Sequence, residues 1–164
     1  MSHEKILYIA QGAVIAAVYV VLTLLFAPIS FGTSGIDVRI AEALTILPVF
    51  TPAAVPGVFI GCLLANILGG GIIWDIIFGS LASLIGAIGC RMLRSKRHLA
   101  PLPTVLANAI IVPLVLRFGY GVNMPFLMLV LSVGAGEFLS AYCLGQVLYT
   151  ALKPVSKYLQ AEAH

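Results

Sequence analysis

The sequence predicts an all-α integral membrane protein, a bundle of six apolar helices with both termini cytoplasmic. Three observations carry this expectation. Hydrophobic residues make up 61% of the chain and charged residues 9%, against about 25% charged in a soluble domain, and the mean hydropathy is +1.11. The apolar residues fall into long runs parted by short polar or glycine-rich breaks. Counted as six crossings, the runs place most basic residues on one side, as the positive-inside rule requires. A soluble fold of 164 residues would leave too much surface in water for so many apolar side chains. In lipid, backbone groups must be satisfied within each helix.

The spans are expected at about 6–28, 38–52, 54–73, 75–93, 103–117 and 124–152, in one domain of residues 1–164. A spanning helix takes about 20 apolar residues, and the first run meets this without a charge. Its Gly12/Ala16 and Ala13/Ala17 pairs let another helix approach closely, either within the bundle or in a second membrane subunit. The stretch SFGTSGID, Ser30 to Asp37, reads as a loop. The second run is short, holds Arg39 and Glu42, and stops at Pro48 and Pro52. The third carries Asn66 and ends at Gly69-Gly70-Gly71, and the fourth follows Trp74 and Asp75. RMLRSKRH, Arg91 to His98, is a basic loop; Asn108 and Pro113 interrupt the fifth run. Arg117 to Asn123 is a second loop, and the last run contains one charge, Glu137. With the N-terminus inside, Lys5, Arg91, Arg94, Lys96, Arg97, Lys153 and Lys157 are cytoplasmic, seven of the nine basic residues. Five crossings would separate the Arg91–Arg97 cluster from the N-terminus.

Several function classes recede. The net charge of +3 gives no footing for nucleic acid. Cys62, Cys90 and Cys143 are far apart and form no zinc or disulfide pattern; they read as small buried apolar residues. His3, His98 and His164 lie in the termini and the basic loop, so no metal or cofactor is expected. No nucleophile–base pair, HExxH or phosphate loop is present, which argues against an enzyme. The first run lacks the basic start and cleavage site of a signal peptide.

The polar residues of the expected outer half are then out of place: Asp37, Arg39, Glu42, Asn66, Trp74, Asp75, Arg117, Tyr120, Asn123 and Glu137. Ionisable groups at membrane depth face the bundle interior or a water-filled cavity and mark a site. Each has a plainer reading. Arg39 and Glu42 are three apart and can pair with each other. Asp75 can cap the fourth helix, Trp74 can anchor at the interface, and Asn66 can bond a neighbouring helix. Glu137 has Val133, Gly134, Ser140 and Ala141 at helical spacing, small enough for helix packing or for a ligand.

The stretch Arg39-Ile-Ala-Glu-Ala-Leu-Thr-Ile-Leu-Pro48, then Pro56-Gly57, Gly61-Cys-Leu-Leu-Ala-Asn66 and Trp74-Asp-Ile-Ile-Phe-Gly-Ser-Leu81, resembles the queuosine-precursor transporter (QueT) family. These are substrate-binding S-components of energy-coupling-factor (ECF) transporters. The resemblance runs over nearly the whole chain and is specific between Arg39 and Ser80. It implies the six-helix S-component fold, capture of a small solute from outside, and partners: a transmembrane coupling subunit and two ATPase subunits. It implies docking to the coupling subunit through Gly12, Ala13, Ala16 and Ala17. The implied substrate is a 7-deazaguanine, queuine or its 7-aminomethyl precursor. A guanine edge offers two neighbouring N–H donors to a carboxylate, a cationic amine wants a second carboxylate, and a flat ring wants an aromatic face. Glu42, Asp75 and Glu137 supply carboxylates, Trp74, Phe78, Tyr120 and Tyr142 faces, and Asn66 and Asn123 amides. The expectation is that Glu137 or Glu42 takes the edge and Asp75 the amine, with the Ser30–Asp37 and Arg117–Asn123 loops closing over them. An S-component for another amine or heterocycle, or a stand-alone carrier, is the alternative.

Overall fold

The computed structural model describes residues 3–30 and 38–156. Among the described residues every regular element is helical. Helix α1 is His3–Ser30, α2 is Ala54–Leu68, α3 is Ile73–Met92 and α4 is Leu102–Leu114, continued by a π-helical turn at Val115–Gly119. Helix α5, Phe126–Glu137, runs through a π segment, Phe138–Leu144, into α6, Gly145–Leu152. Four helices are long and apolar enough to cross a membrane: His3–Ala27, Asp75–Met92, Leu102–Gly119 and Phe126–Val155. Two apolar helices are shorter, Ile40–Val49 and Ala54–Leu68.

The structure differs from the sequence expectation in two segments: the third, expected over 54–73, is a helix of 15 residues ending at Leu68, and the second departs further. Ile40–Val49 is a 3-10 helix, with Pro48 inside it. Runs beyond three or four residues are uncommon for this helix; this one has ten, eight of them buried. It contacts α1, α2, α3, α6 and the Phe138–Leu144 segment, so it forms the axis round which the longer helices pack. The narrow helix suits that place. Small Ala41 and Ala43 sit beside Leu44 and Ile46, all buried, and Thr45 Oγ1 returns a 2.6 Å hydrogen bond to the Glu42 carbonyl. At its C-terminal end the Arg91 guanidinium donates to the carbonyls of Pro48 at 3.0 Å and Val49 at 3.4 Å, satisfying acceptors the helix end leaves open.

Around the axis, α1 packs on α2, α2 on α3, α3 on α4 and α4 on α5. Glycine sets how close two of these pairs come. A Cβ at Gly61 would lie 2.7 Å from Tyr19 Cβ and 3.1 Å from the Ala16 backbone. One at Gly86 would lie 2.5 Å from Thr104 Oγ1 and 2.7 Å from Thr104 Cα, where backbone cannot yield. Gly86→Ala is expected to cost about 1–3 kcal/mol by overpacking, read as a lowered thermal midpoint in detergent.

The close approach also divides the small residues of α1. Ala16 is buried against α2, and Gly12 lies near it, 3.3 Å from the Ala53 carbonyl by its would-be Cβ. Ala13 and Ala17 are exposed, on the surface that also shows Val14, Val18, Val21 and Leu25.

Candidate functional site

Where α1, α2 and α3 meet the start of the 3-10 segment, at the end of the bundle opposite the Arg91 turn, there is a cavity of about 300 Å³. Its polar lining comes from Tyr19, Thr23, Arg39, Asn66, Asp75 and Tyr120. The glycines that end α2 form one wall; Gly70 has φ +75°, a left-handed conformation open to glycine at little cost.

Asp75 is the centre of this group. Helix α3 begins at Ile73, with Ile72 as its N-cap and no side-chain cap, so Asp75 sits inside the first turn and is not the cap its position suggested. There the helix dipole favours its charge. Its Oδ2 accepts a 3.2 Å bond from the Tyr120 hydroxyl, and its Oδ1 lies 3.7 Å from Arg39 Nη2. Asn66 Nδ2 donates to the Asp75 carbonyl at 3.2 Å, and the Ile72 amide donates to the Tyr120 oxygen at 3.4 Å. Burial, and then the Asp75 charge, push the Tyr120 phenol above its ordinary value, so it remains a donor through the physiological range. Beneath the carboxylate is Gly79: a Cβ there would stand 2.9 Å from Asp75 Oδ1 and 3.2 Å from Asn66 Nδ2.

Arg39 therefore engages Asp75, while Glu42, its expected helical partner, turns to the core. Glu42 is fully buried. Its Oε1 accepts hydrogen bonds from the Tyr19 hydroxyl and, at 2.9 Å, from Ser83 Oγ. Ser83 Oγ is 3.5 Å from Cys62 Sγ, which is 3.7 Å from Asn66 Nδ2, so a polar seam links this carboxylate to the cavity.

The remaining sequence candidates lie elsewhere. Trp74 and Phe78 stack on each other at 6.0 Å and line a separate apolar groove with Ile111 and Phe118, on the outside of α3 and α4. Glu137 is buried at the end of α5 and does not line the cavity. Tyr142 stacks on Phe138 at 4.8 Å in the π segment. Asn123 is exposed in the turn before α5, a turn held by Arg117 Nη1 donating to the Met124 carbonyl at 2.7 Å. Asp37 and the Ser30–Asp37 loop, apart from the helical Ser30, lie outside the described residues, as does Lys157. Residues of the first span that the sequence reading passed over also line the cavity: Tyr19, one of three aromatics there with Tyr8 and Phe26, and Thr23.

No curated protein and no solved structure matches the chain. The family model described as QueT transporter matches residues 9–154, a stretch that takes in every residue lining the cavity. With four helices long and apolar enough to cross a membrane, the chain is a multi-pass membrane protein and belongs to the QueT transporter family.

Proposed function

We propose that this chain is the substrate-binding subunit for uptake of a queuosine precursor, a 7-deazaguanine such as 7-aminomethyl-7-deazaguanine or queuine. A coupling subunit and two ATPase subunits energise it, and all six apolar segments form the bundle with both termini cytoplasmic. The observation that carries the reading is the cavity at the end of the bundle opposite the basic turn, with Asp75 as its carboxylate. At about 300 Å³ it is at the small end of ligand pockets, which run from about 300 to 1,000 Å³, and suits one fused heterocycle. Asp75 takes the cationic amine, Arg39 and Asn66 supply polar contacts, and Tyr120 covers the ring. On α1, the exposed Ala13/Ala17 face docks the coupling subunit, since the Gly12/Ala16 face is used up against α2.

Isothermal titration of the detergent-purified chain tests this, with 7-aminomethyl-7-deazaguanine and queuine as ligands and guanine and thiamine as controls. Tight binding to a deazaguanine, at least about 100-fold above thiamine (roughly 2.7 kcal/mol), is expected. A folded protein that binds none of them leaves the membrane bundle standing and removes the substrate.

A further inference from the structure

Below the cavity, two buried polar groups face each other without closing. Glu42 and Asn108 are 0% and 1% exposed. The Asn108 amide acts on the Glu42 carboxylate, yet Glu42 Oε2 and Asn108 Nδ2 each lack a hydrogen-bond partner among the described residues. Ser80 Oγ, one turn before Ser83 on α3, is buried and unpartnered as well. Buried polar groups are nearly always satisfied, and leaving one unmade is costly. An acceptor and a donor that lie side by side, near enough to interact but outside hydrogen-bond geometry, are complementary to a ligand edge that carries a donor beside an acceptor.

We infer that Glu42 and Asn108 form an inner recognition subsite for the lactam edge of the transported heterocycle. Resting on the proposed deazaguanine reading, the assignment is specific. Glu42 accepts the ring N–H and the neighbouring amino group; Asn108 Nδ2 donates to the ring carbonyl. Tyr19 is the partition. It lines the cavity on one side, is 2% exposed, and on the other side its hydroxyl holds Glu42 Oε1. A ligand entering from Asp75 reaches the subsite by displacing that hydroxyl, and its own amino group replaces the lost donor. Ser83 continues to hold the carboxylate in place. The amine end and the lactam edge are thereby read in two places, at Asp75 outside and at Glu42–Asn108 within.

The test compares 7-deazaguanine with 2-amino-7-deazapurine, which keeps the amino group but lacks both the carbonyl and the ring N–H beside it, by titration on the full chain. The wild type is expected to prefer the first by on the order of 100-fold. Asn108→Ala is expected to cut that preference to about tenfold, the share owed to Glu42 and the ring N–H, by weakening 7-deazaguanine alone, with the second ring changed by no more than about twofold. Equal weakening of both rings would mark Asn108 as structural and overturn the inference. Should Asn108→Ala fail to fold, the wild-type ratio decides: comparable affinities for the two rings overturn the subsite. Loss of the ratio while 7-aminomethyl-7-deazaguanine still binds removes the subsite only. Failure of every deazapurine to bind removes the proposed function with it.

Discussion

Replacing Asp75 by Asn is expected to weaken binding of 7-aminomethyl-7-deazaguanine by roughly 10- to 100-fold, the loss of one charge-assisted hydrogen bond to a cation. The size follows from the site. Asp75 is 4% exposed, and the dipole of α3 and the Tyr120 hydroxyl support its charge. The Asn variant keeps the shape and the Tyr120 contact but removes the charge. 7-Deazaguanine, which lacks the amine, is expected to bind wild type and variant alike, so the ratio between the two ligands isolates the ion pair from any change in fold. Gly79→Ala provides a second route to the same result. Its added Cβ, 2.9 Å from Oδ1, displaces the carboxylate without altering its chemistry. Titration of both ligands against wild type, Asp75→Asn and Gly79→Ala checks this; parallel losses for the two ligands would contradict the role given to Asp75.

A different separation is expected from Ala17→Trp. Here binding in detergent stays within about twofold of wild type, while uptake of labelled ligand in cells carrying the coupling and ATPase subunits falls at least about tenfold. The expectation comes from the two faces of α1. Ala17 is exposed and does not line the cavity, so a bulky residue there spares the fold and obstructs close approach by another helix. Co-purification with the coupling subunit is the direct reading. Unimpaired uptake with the variant would move docking away from this face.

Composition alone was enough to read the class, because 9% charged residues is far below what a water-facing surface carries. The polar residues of the cavity were also readable: Arg39, Asn66, Asp75 and Tyr120 stand out against apolar runs, and the structure brings them together. Facing was not readable. In a soluble helix the apolar stripe points to the core, but lipid is as apolar as the core, so nothing in the pattern says that Trp74 and Phe78 turn outward or that Tyr19 turns inward. The 3-10 geometry of Ile40–Val49 was hidden for a related reason. Its apolar residues satisfy any helix, and only Pro48 hints at a departure. Asn108 was read as an interruption of its run, since one amide has no visible partner until α4 is laid beside Glu42.

The central 3-10 segment is held by an arginine at each end. Arg39 at its start engages Asp75, and Arg91 grips the carbonyls at its finish. Mechanically it is a strut about 20 Å long, at about 2 Å per residue, pinned firmly at one bearing and loosely at the other. Any cation that draws on Asp75 competes with Arg39 for it and slackens the loose bearing. From that bearing the strut leads to the basic turn at the opposite end of the bundle, where Arg91 holds its other terminus.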